Sequence, residues 1–260
     1  MFRKVLVTVP MEHFPEKALK TAGELSRRTD AKVYLSYIIE DNVFNEVSEQ
    51  ADHVLSDREM ERFHERMVHQ HRKMARKVLL PEAERVMEVK ARGLSVLTGL
   101  FSDAVQKEVT DRKMDLIIME YDTYNLLNYR IMDRSPVPVW IARGGGRIGK
   151  IGLFCSNLAP NERSPEVALN LRKVFKARLK TYYINDPKGK MDEKEPRELA
   201  RSHRFKWTET AEDKVDSFIY SKARSEDFDL IVIGRISKRG YFHLRSRFAK
   251  RTDCSVLMIH

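Results

Sequence analysis

This sequence is short of the residues that the most recognisable chemistries need. Only two of its 260 residues are cysteine, Cys155 and Cys254, and no Cys-x-x-Cys occurs. That excludes a disulfide framework and a cysteine zinc site, and it reads as two small buried residues in a reducing compartment. No apolar run approaches the roughly 18 residues of a membrane helix. The longest runs, Leu116 to Met119 and Val137 to Ala142, have strand length. The opening Met1-Phe2-Arg3-Lys4-Val5-Leu6-Val7 has no hydrophobic region ending in small residues. A secretory signal is therefore not expected, and the expected location is the cytoplasm. There is no Gly-x-x-x-x-Gly-Lys-Ser/Thr phosphate loop and no Gly-x-Ser-x-Gly elbow. Nothing pairs a nucleophile with a base, so no catalytic machinery is expected. No glycine lies between Gly99 and Gly144.

What is present is charge and a repeated pattern. Charged residues make up 33% of the chain and hydrophobic residues 42%, enough for packed cores under a strongly solvated surface. The net charge is +10, and 23 of the 48 Lys+Arg and 23 of the 38 Asp+Glu fall in residues 1–146. The second half therefore carries the whole excess, which points to an anionic partner there or to solubility alone.

Four landmarks recur in the same order. Lys4-Val5-Leu6-Val7-Thr8-Val9 is matched by Lys150-Ile151-Gly152-Leu153-Phe154-Cys155, each an apolar strand after a basic residue. Pro15-Glu16-Lys17-Ala18-Leu19 is matched by Pro165-Glu166-Val167-Ala168-Leu169, with each proline in the first turn of a helix, where a missing N–H costs nothing. Met114-Asp115-Leu116-Ile117-Ile118 is matched by Phe228-Asp229-Leu230-Ile231-Val232. A last strand closes each half, Pro136-Val137-Pro138-Val139-Trp140-Ile141 and Cys254-Ser255-Val256-Leu257-Met258-Ile259.

The pattern predicts strands near 4–9, 32–39, 94–100, 114–119 and 137–142 in the first half, and near 150–155, 178–184, 204–209, 229–233 and 255–259 in the second. Helices are predicted near 15–29, 48–92 with a break at Pro81, 102–112 and 124–133, then near 165–177, 195–202, 211–226 and 240–251. Apolar strands interleaved with helices imply a parallel sheet covered on both faces. Right-handed crossovers make it doubly wound. The expectation is an α/β protein of two tandem five-stranded parallel-sheet domains, residues 1–143 and 147–260, joined by a flexible Gly144-Gly145-Gly146 linker.

On these residues the chain resembles the universal stress protein family, whose fold is of the adenine nucleotide alpha hydrolase type. The family's Ser/Pro-Glu-x-Ala-Leu helix start, its Asp-Leu-Ile-Val fourth strand and its closing Cys-Pro-Val-Leu-Val strand each have a counterpart in both halves. The resemblance implies strand order 3-2-1-4-5 and pairing through the fifth strands, each an open edge. In a tandem chain the two halves can cover each other's edge as an internal pseudo-dimer, with a homodimer as a further level.

The chain departs from the family at the nucleotide loop. Nucleotide-binding members carry Gly-x-x-Gly, nine residues and Gly-Ser/Thr after strand four, where backbone N–H groups close on phosphates, and an Asp after strand one. The first half has Met119-Glu120-Tyr121-Asp122-Thr123-Tyr124-Asn125 there and Pro10 in place of the Asp. Glu120 and Asp122 repel a phosphate, and the first-half site reads as dead for triphosphates. The second half keeps Gly234, has Ser237 at the second glycine, lacks the Gly-Ser pair, and has Ser156-Asn157 after strand one. Residues 235–251 hold seven Lys/Arg and no acid, and arginine forks onto phosphate as a donor. The candidate ligand residues are therefore Ser156, Asn157, Gly234, Arg235, Ser237, Lys238 and Arg239, with ATP, AMP or another small anion as ligand. No metal is expected.

Other candidates are weaker. His53, His64, His69 and His71 fall in a mixed-charge helix whose pattern is that of a salt-laced outer helix. Phe205 and Trp207 alternate with Arg204 and Lys206, a mix able to stack on single-stranded nucleic acid but also the pattern of a short strand. Residues 186–198 read as a charged surface loop. Three functions follow in order: a non-enzymatic regulator sensing an anion through the second half, with a protein partner such as a transporter; a basic adaptor for nucleic acid or an anionic surface; and a weak ATP hydrolase.

Overall fold

The computed structural model describes residues 1–40, 56–120, 131, 135–156, 163–185, 207–211, 215–234 and 252–259. The first half runs β1 (Lys4–Pro10), α1 (Glu16–Thr29), β2 (Lys32–Ile39), α2 (Asp57–Met74), a π-helical turn (Ala75–Leu79), α3 (Leu80–Met87), β3 (Gly93–Thr98), α4 (Phe101–Arg112), β4 (Leu116–Glu120) and β5 (Val139–Ala142). The second runs β6 (Lys150–Ser156), α5 (Arg163–Phe175), β7 (Arg178–Asn185), β8 (Thr208–Ala211), α6 (Val215–Glu226), β9 (Leu230–Gly234) and β10 (Ser255–Ile259).

The strands form one ten-stranded sheet in the order β3-β2-β1-β4-β5-β10-β9-β6-β7-β8. Each half has the order 3-2-1-4-5, and β6 takes in the second half the place of β1 in the first. Within each half the pairs are parallel, while β5 and β10 pair antiparallel through Ile141–Val256, Trp140–Leu257 and Val139–Met258. The fifth strands thus cover each other, as the resemblance implied, and the two sheets are continuous. β5 starts only at Val139, because Pro136 and Pro138 have no N–H to give a ladder.

Strand residues alternate between two apolar layers. Val5, Val7, Leu153 and Leu257 pack with Ala18, Leu19 and Ala22 of α1 and Ala168 and Leu171 of α5. Leu6, Ile117, Ile141 and Val256 pack on the opposite face with Val105 of α4 and Ile219 of α6. The first layer crosses the seam between the halves. Trp140 meets Phe175 edge-on at 6.4 Å, and Arg28 of α1 lies over Phe175 at 5.4 Å and donates to Val174 O at 3.2 Å.

Two expectations are corrected. Pro81 does not break the long helix, which continues from α2 into α3 through the π-helical turn immediately before it. A widened turn is one of the local adjustments by which a helix accommodates a disrupted hydrogen-bond ladder. The triglycine is also not free along its length. Gly144 and Gly145 face open space, but Gly146 is buried at φ +86°, and a Cβ there would lie 2.9 Å from Lys20 O of α1. The predicted helices near 124–133, 195–202 and 240–251 and the loop at 186–198 lie wholly or almost wholly outside the described residues.

Candidate functional site

The two halves are clasped in the same way at the amino ends of their strands. Asp115 accepts hydrogen bonds from Arg3 N (2.7 Å) and Lys4 N (3.0 Å). Asp229 accepts from Gly149 N and Lys150 N, both at 2.8 Å. Lys4 Nζ donates to Arg112 O, the end of α4, and Lys150 Nζ to Glu226 O, the end of α6. A cation at the carbonyls of a helix C-terminus is favourable. Two sequence landmarks, the basic residue before strand one and the aspartate before strand four, are thus one clasp that ties together β1, β4 and α4, and again β6, β9 and α6.

The carboxyl ends of the same strands form the other pole, where an open α/β sheet binds ligands at its topological switch point. In the second half that point lies between β6 and β9, since β6 pairs with β7 on one side and β9 on the other. Ser156 ends β6 and Gly234 ends β9. Both are buried. They line one cavity with Phe154, Ile184, Val215 and Ile219, and its volume of about 10 Å³ is the room of a single water. Of the seven candidate ligand residues, the structure brings Ser156 and Gly234 together. Asn157, Arg235, Ser237, Lys238 and Arg239 lie outside the described residues.

In the first half the equivalent point is filled. Val5 pairs with Leu116 as Ile151 pairs with Leu230, so Pro10 corresponds to Ser156 and Glu120 to Gly234. The Glu120 side chain is only 9% exposed. Its carboxylate accepts a hydrogen bond from Lys17 N at 2.8 Å, and Lys17 Nζ and His13 Nε2 lie 3.7 and 3.6 Å away. Lys17 is in the first turn of α1, whose N-cap residue, Pro15, makes no side-chain capping bond. A proline has no side-chain oxygen to offer an orphan helix N–H, so β4 supplies the missing cap. Sequence reasoning placed Glu120 in the loop as a charge that repels phosphate. It missed the cap, and the signal for it was the proline at the helix start.

Elsewhere, a larger cavity of about 780 Å³ lies at the amino ends of the second half's strands, between Thr21 of α1, Arg147, Arg224 of α6, Asp229 and Asp253. Its charges are of both signs, and it is at the pole opposite Ser156 and Gly234. Tyr37 donates to or accepts from His71 Nδ1 at 2.9 Å, and burial pushes its phenol above the usual range. Trp207 leads into β8 and packs edge-on against Tyr183 at 5.8 Å; Arg204, Phe205 and Lys206 lie outside the described residues. Cys155 and Cys254 are both buried and in no disulfide, and burial pushes the Cys254 thiol up to about 12. Among the described residues no group of three or more His, Cys, Asp and Glu is placed to hold a metal ion. Among them, too, no helix is long and apolar enough to cross a membrane.

The fold is that of a doubly wound α/β protein of two like halves joined at their fifth strands. That is the architecture of tandem universal stress proteins. The chain matches a universal stress protein from Archaeoglobus fulgidus DSM 4304 with a TM-score of 0.66 at 14% identity, covering 98% of this chain and 95% of that one. It matches a putative universal stress protein from Pseudomonas aeruginosa UCBPP-PA14 with a TM-score of 0.66 at 14% identity, over 99% and 93% of the two chains. A functionally unknown protein from Pseudomonas aeruginosa PAO1 matches with a TM-score of 0.64 at 15% identity, over 99% and 92%. Likeness at this level of identity establishes the fold. No protein-family model and no curated protein matches the chain.

Proposed function

We propose that the chain is a non-catalytic regulatory protein of the cytoplasm, built as two domains, 1–143 and 147–260, that takes a small anion through its second half. An adenine nucleotide, AMP or ATP, is the ligand class to test first. The observation that carries this reading is the difference between two register-matched positions. At the switch point the first half has Glu120, whose carboxylate is already bound to α1, and the second has Gly234, which has no side chain. The small cavity under Ser156 and Gly234, about 10 Å³, has no room for a phosphate, so the anion would lie above it, with Asn157, Arg235, Ser237, Lys238 and Arg239 as its proposed partners. The chain after Gly234 carries seven Lys/Arg and no acid over residues 235–251, which supports an anionic ligand. With the fifth strands used inside the chain, a homodimer would have to form on another surface. A protein partner such as a transporter would read the ligand state.

Thermal melting with AMP and ATP at low and moderate salt tests the proposal. Ligand binding to the folded chain raises its melting temperature by mass action, and the rise should be lost in Arg235→Ala and Lys238→Ala. If neither nucleotide shifts the wild-type transition, nucleotide sensing is wrong. A second reading, a basic adaptor, rests on the charge excess of the second half. It would show as oligonucleotide binding that weakens steeply with salt.

A further inference from the structure

We propose that the seam between the two halves holds a binding site for a small dipolar molecule, one that carries an ammonium and a carboxylate as an amino acid or a short peptide does. The site is the cavity at the amino ends of the second half's strands. Its volume of about 780 Å³ falls within the roughly 300–1,000 Å³ of small-molecule sites, which favour the interfaces between domains. The first half supplies Thr21 of α1, and the second supplies Arg224 of α6, Asp227, Asp229 and Asp253. Arg147 comes from the stretch between the halves. Gly146 holds that stretch against α1, since even a Cβ there would lie 2.9 Å from Lys20 O.

Two observations point to a ligand. The first is Thr21, which is 2% exposed and whose Oγ1 is buried without a hydrogen-bond partner. The other threonines of the described helices bond back one turn. Thr29 Oγ1 donates to Leu25 O at 2.7 Å, and Thr110 Oγ1 to Gln106 O at 3.0 Å. Thr21 makes no such bond and lines the cavity. A buried hydroxyl left alone is costly, and a bound molecule can satisfy it. The second observation is charge. Among the described residues no ion pair takes up Arg147, Arg224, Asp227, Asp229 or Asp253. Asp229 accepts from Gly149 N and Lys150 N through Oδ2, which leaves Oδ1 for a donor from outside the chain. A lone anion in this cavity meets three aspartates, and a lone cation meets two arginines, so like charge opposes each. A molecule with both charges can turn its carboxylate to an arginine, which grips it as a fork, and its ammonium to an aspartate. The site stands at the pole opposite Ser156 and Gly234 and does not depend on anion binding there.

Titration of the full chain with L-glutamine and with alanyl-alanine, followed in a nitrogen–proton spectrum, tests the proposal. At about 10 mM, ten times the dissociation constant of a millimolar site, at least one of the two should shift the amides of Thr21, Gly146 and Arg224 along a saturating curve. Sodium acetate and methylammonium chloride carry one organic charge each and should leave these amides in place at the same concentration. Arg147 and Arg224 are exposed, so the double variant Arg147→Gln, Arg224→Gln should fold, and it should bind at least about tenfold more weakly for the loss of a charged hydrogen bond. Thr21→Val should melt no lower than wild type, because no bond within the chain is lost, and it should also bind more weakly. Amides that stay in place with both probes, or that move as far with the single-charge salts, overturn the inference. Undiminished binding in the double variant overturns it too, as does a Thr21→Val chain that melts below wild type.

Discussion

Gly23 lies inside α1, a position where alanine is ordinarily the better residue by about 1 kcal/mol. Here the opposite sign is expected. A Cβ on Gly23 would lie 2.1 Å from Met87 O and 2.8 Å from Met87 C and Cα, against the 3.4 Å at which ordinary contact begins. The obstacle is backbone at the end of α3, so no side chain can swing away. Met87 O also accepts a hydrogen bond from Arg27 Nη1 at 2.7 Å, and the same nitrogen pairs with Glu88 at 2.9 Å. Gly23→Ala therefore forces α1 and α3 apart and strains a hydrogen bond between them. Overpacking of this kind costs about 1–3 kcal/mol, and the loss of the charged hydrogen bond adds to it. After the helix-propensity gain, a net loss of about 2 kcal/mol remains. In a chain of this length that lowers the melting temperature by about 4–8 °C. Calorimetry or circular dichroism reads it directly. A melting temperature equal to or above wild type would refute the close packing of α1 on α3 and the reasoning built on it.

Asp115→Asn should destabilise by about 1–3 kcal/mol, because Arg3 N and Lys4 N bind different carboxylate oxygens and the amide turns a donor toward one of them; Asp229→Asn should cost less, since one carbonyl oxygen can still accept from both Gly149 N and Lys150 N, and an unchanged denaturant midpoint for Asp115→Asn would contradict the clasp. Cys254 should resist thiol reagents until the chain unfolds, since burial holds its thiol at about 12. Its folded pKa lies above the ordinary value of 9.0, so the unfolded chain releases its proton first and stability falls as pH rises through 9 toward 12. Cys254→Ala should lose less stability than wild type between pH 8 and pH 10. Tyr37→Phe should cost about 0.5–1.5 kcal/mol through the lost bond to His71. Gly234→Glu, which copies the first-half residue into the second, should abolish the melting-temperature rise with AMP, and an undiminished rise would place the ligand elsewhere.

The repeat was legible because burial and strand length are local. Lys4 and Lys150, Pro15 and Pro165, and Asp115 and Asp229 stand at matched places in sequence, and the sheet aligns the strands they mark. Their chemistry was less legible. Asp115 reads as a landmark until the fold brings it to Arg3 and Lys4, more than a hundred residues away in sequence. Glu120 reads as a repelling charge until β4 sets it beside Lys17. Pro81 reads as a helix stop because the rule for proline is local, whereas the helix runs on through a π-helical turn whose Ala75 and Leu79 are buried in one cluster with Tyr37. Gly146 reads as linker because its contact, Lys20 O, belongs to a helix far upstream. Of the proposed ligand residues, Ser156 and Gly234 came from the resemblance to the family's loops after strands one and four, and the structure sets them at the ends of β6 and β9.

The most direct measurement is a crystal structure of the full chain grown with AMP. The account predicts ligand density above Ser156 and Gly234 at the carboxyl ends of β6 and β9, with Glu120 still bound to Lys17 N in the first half. Density against Glu120, or none at either pole, would contradict it.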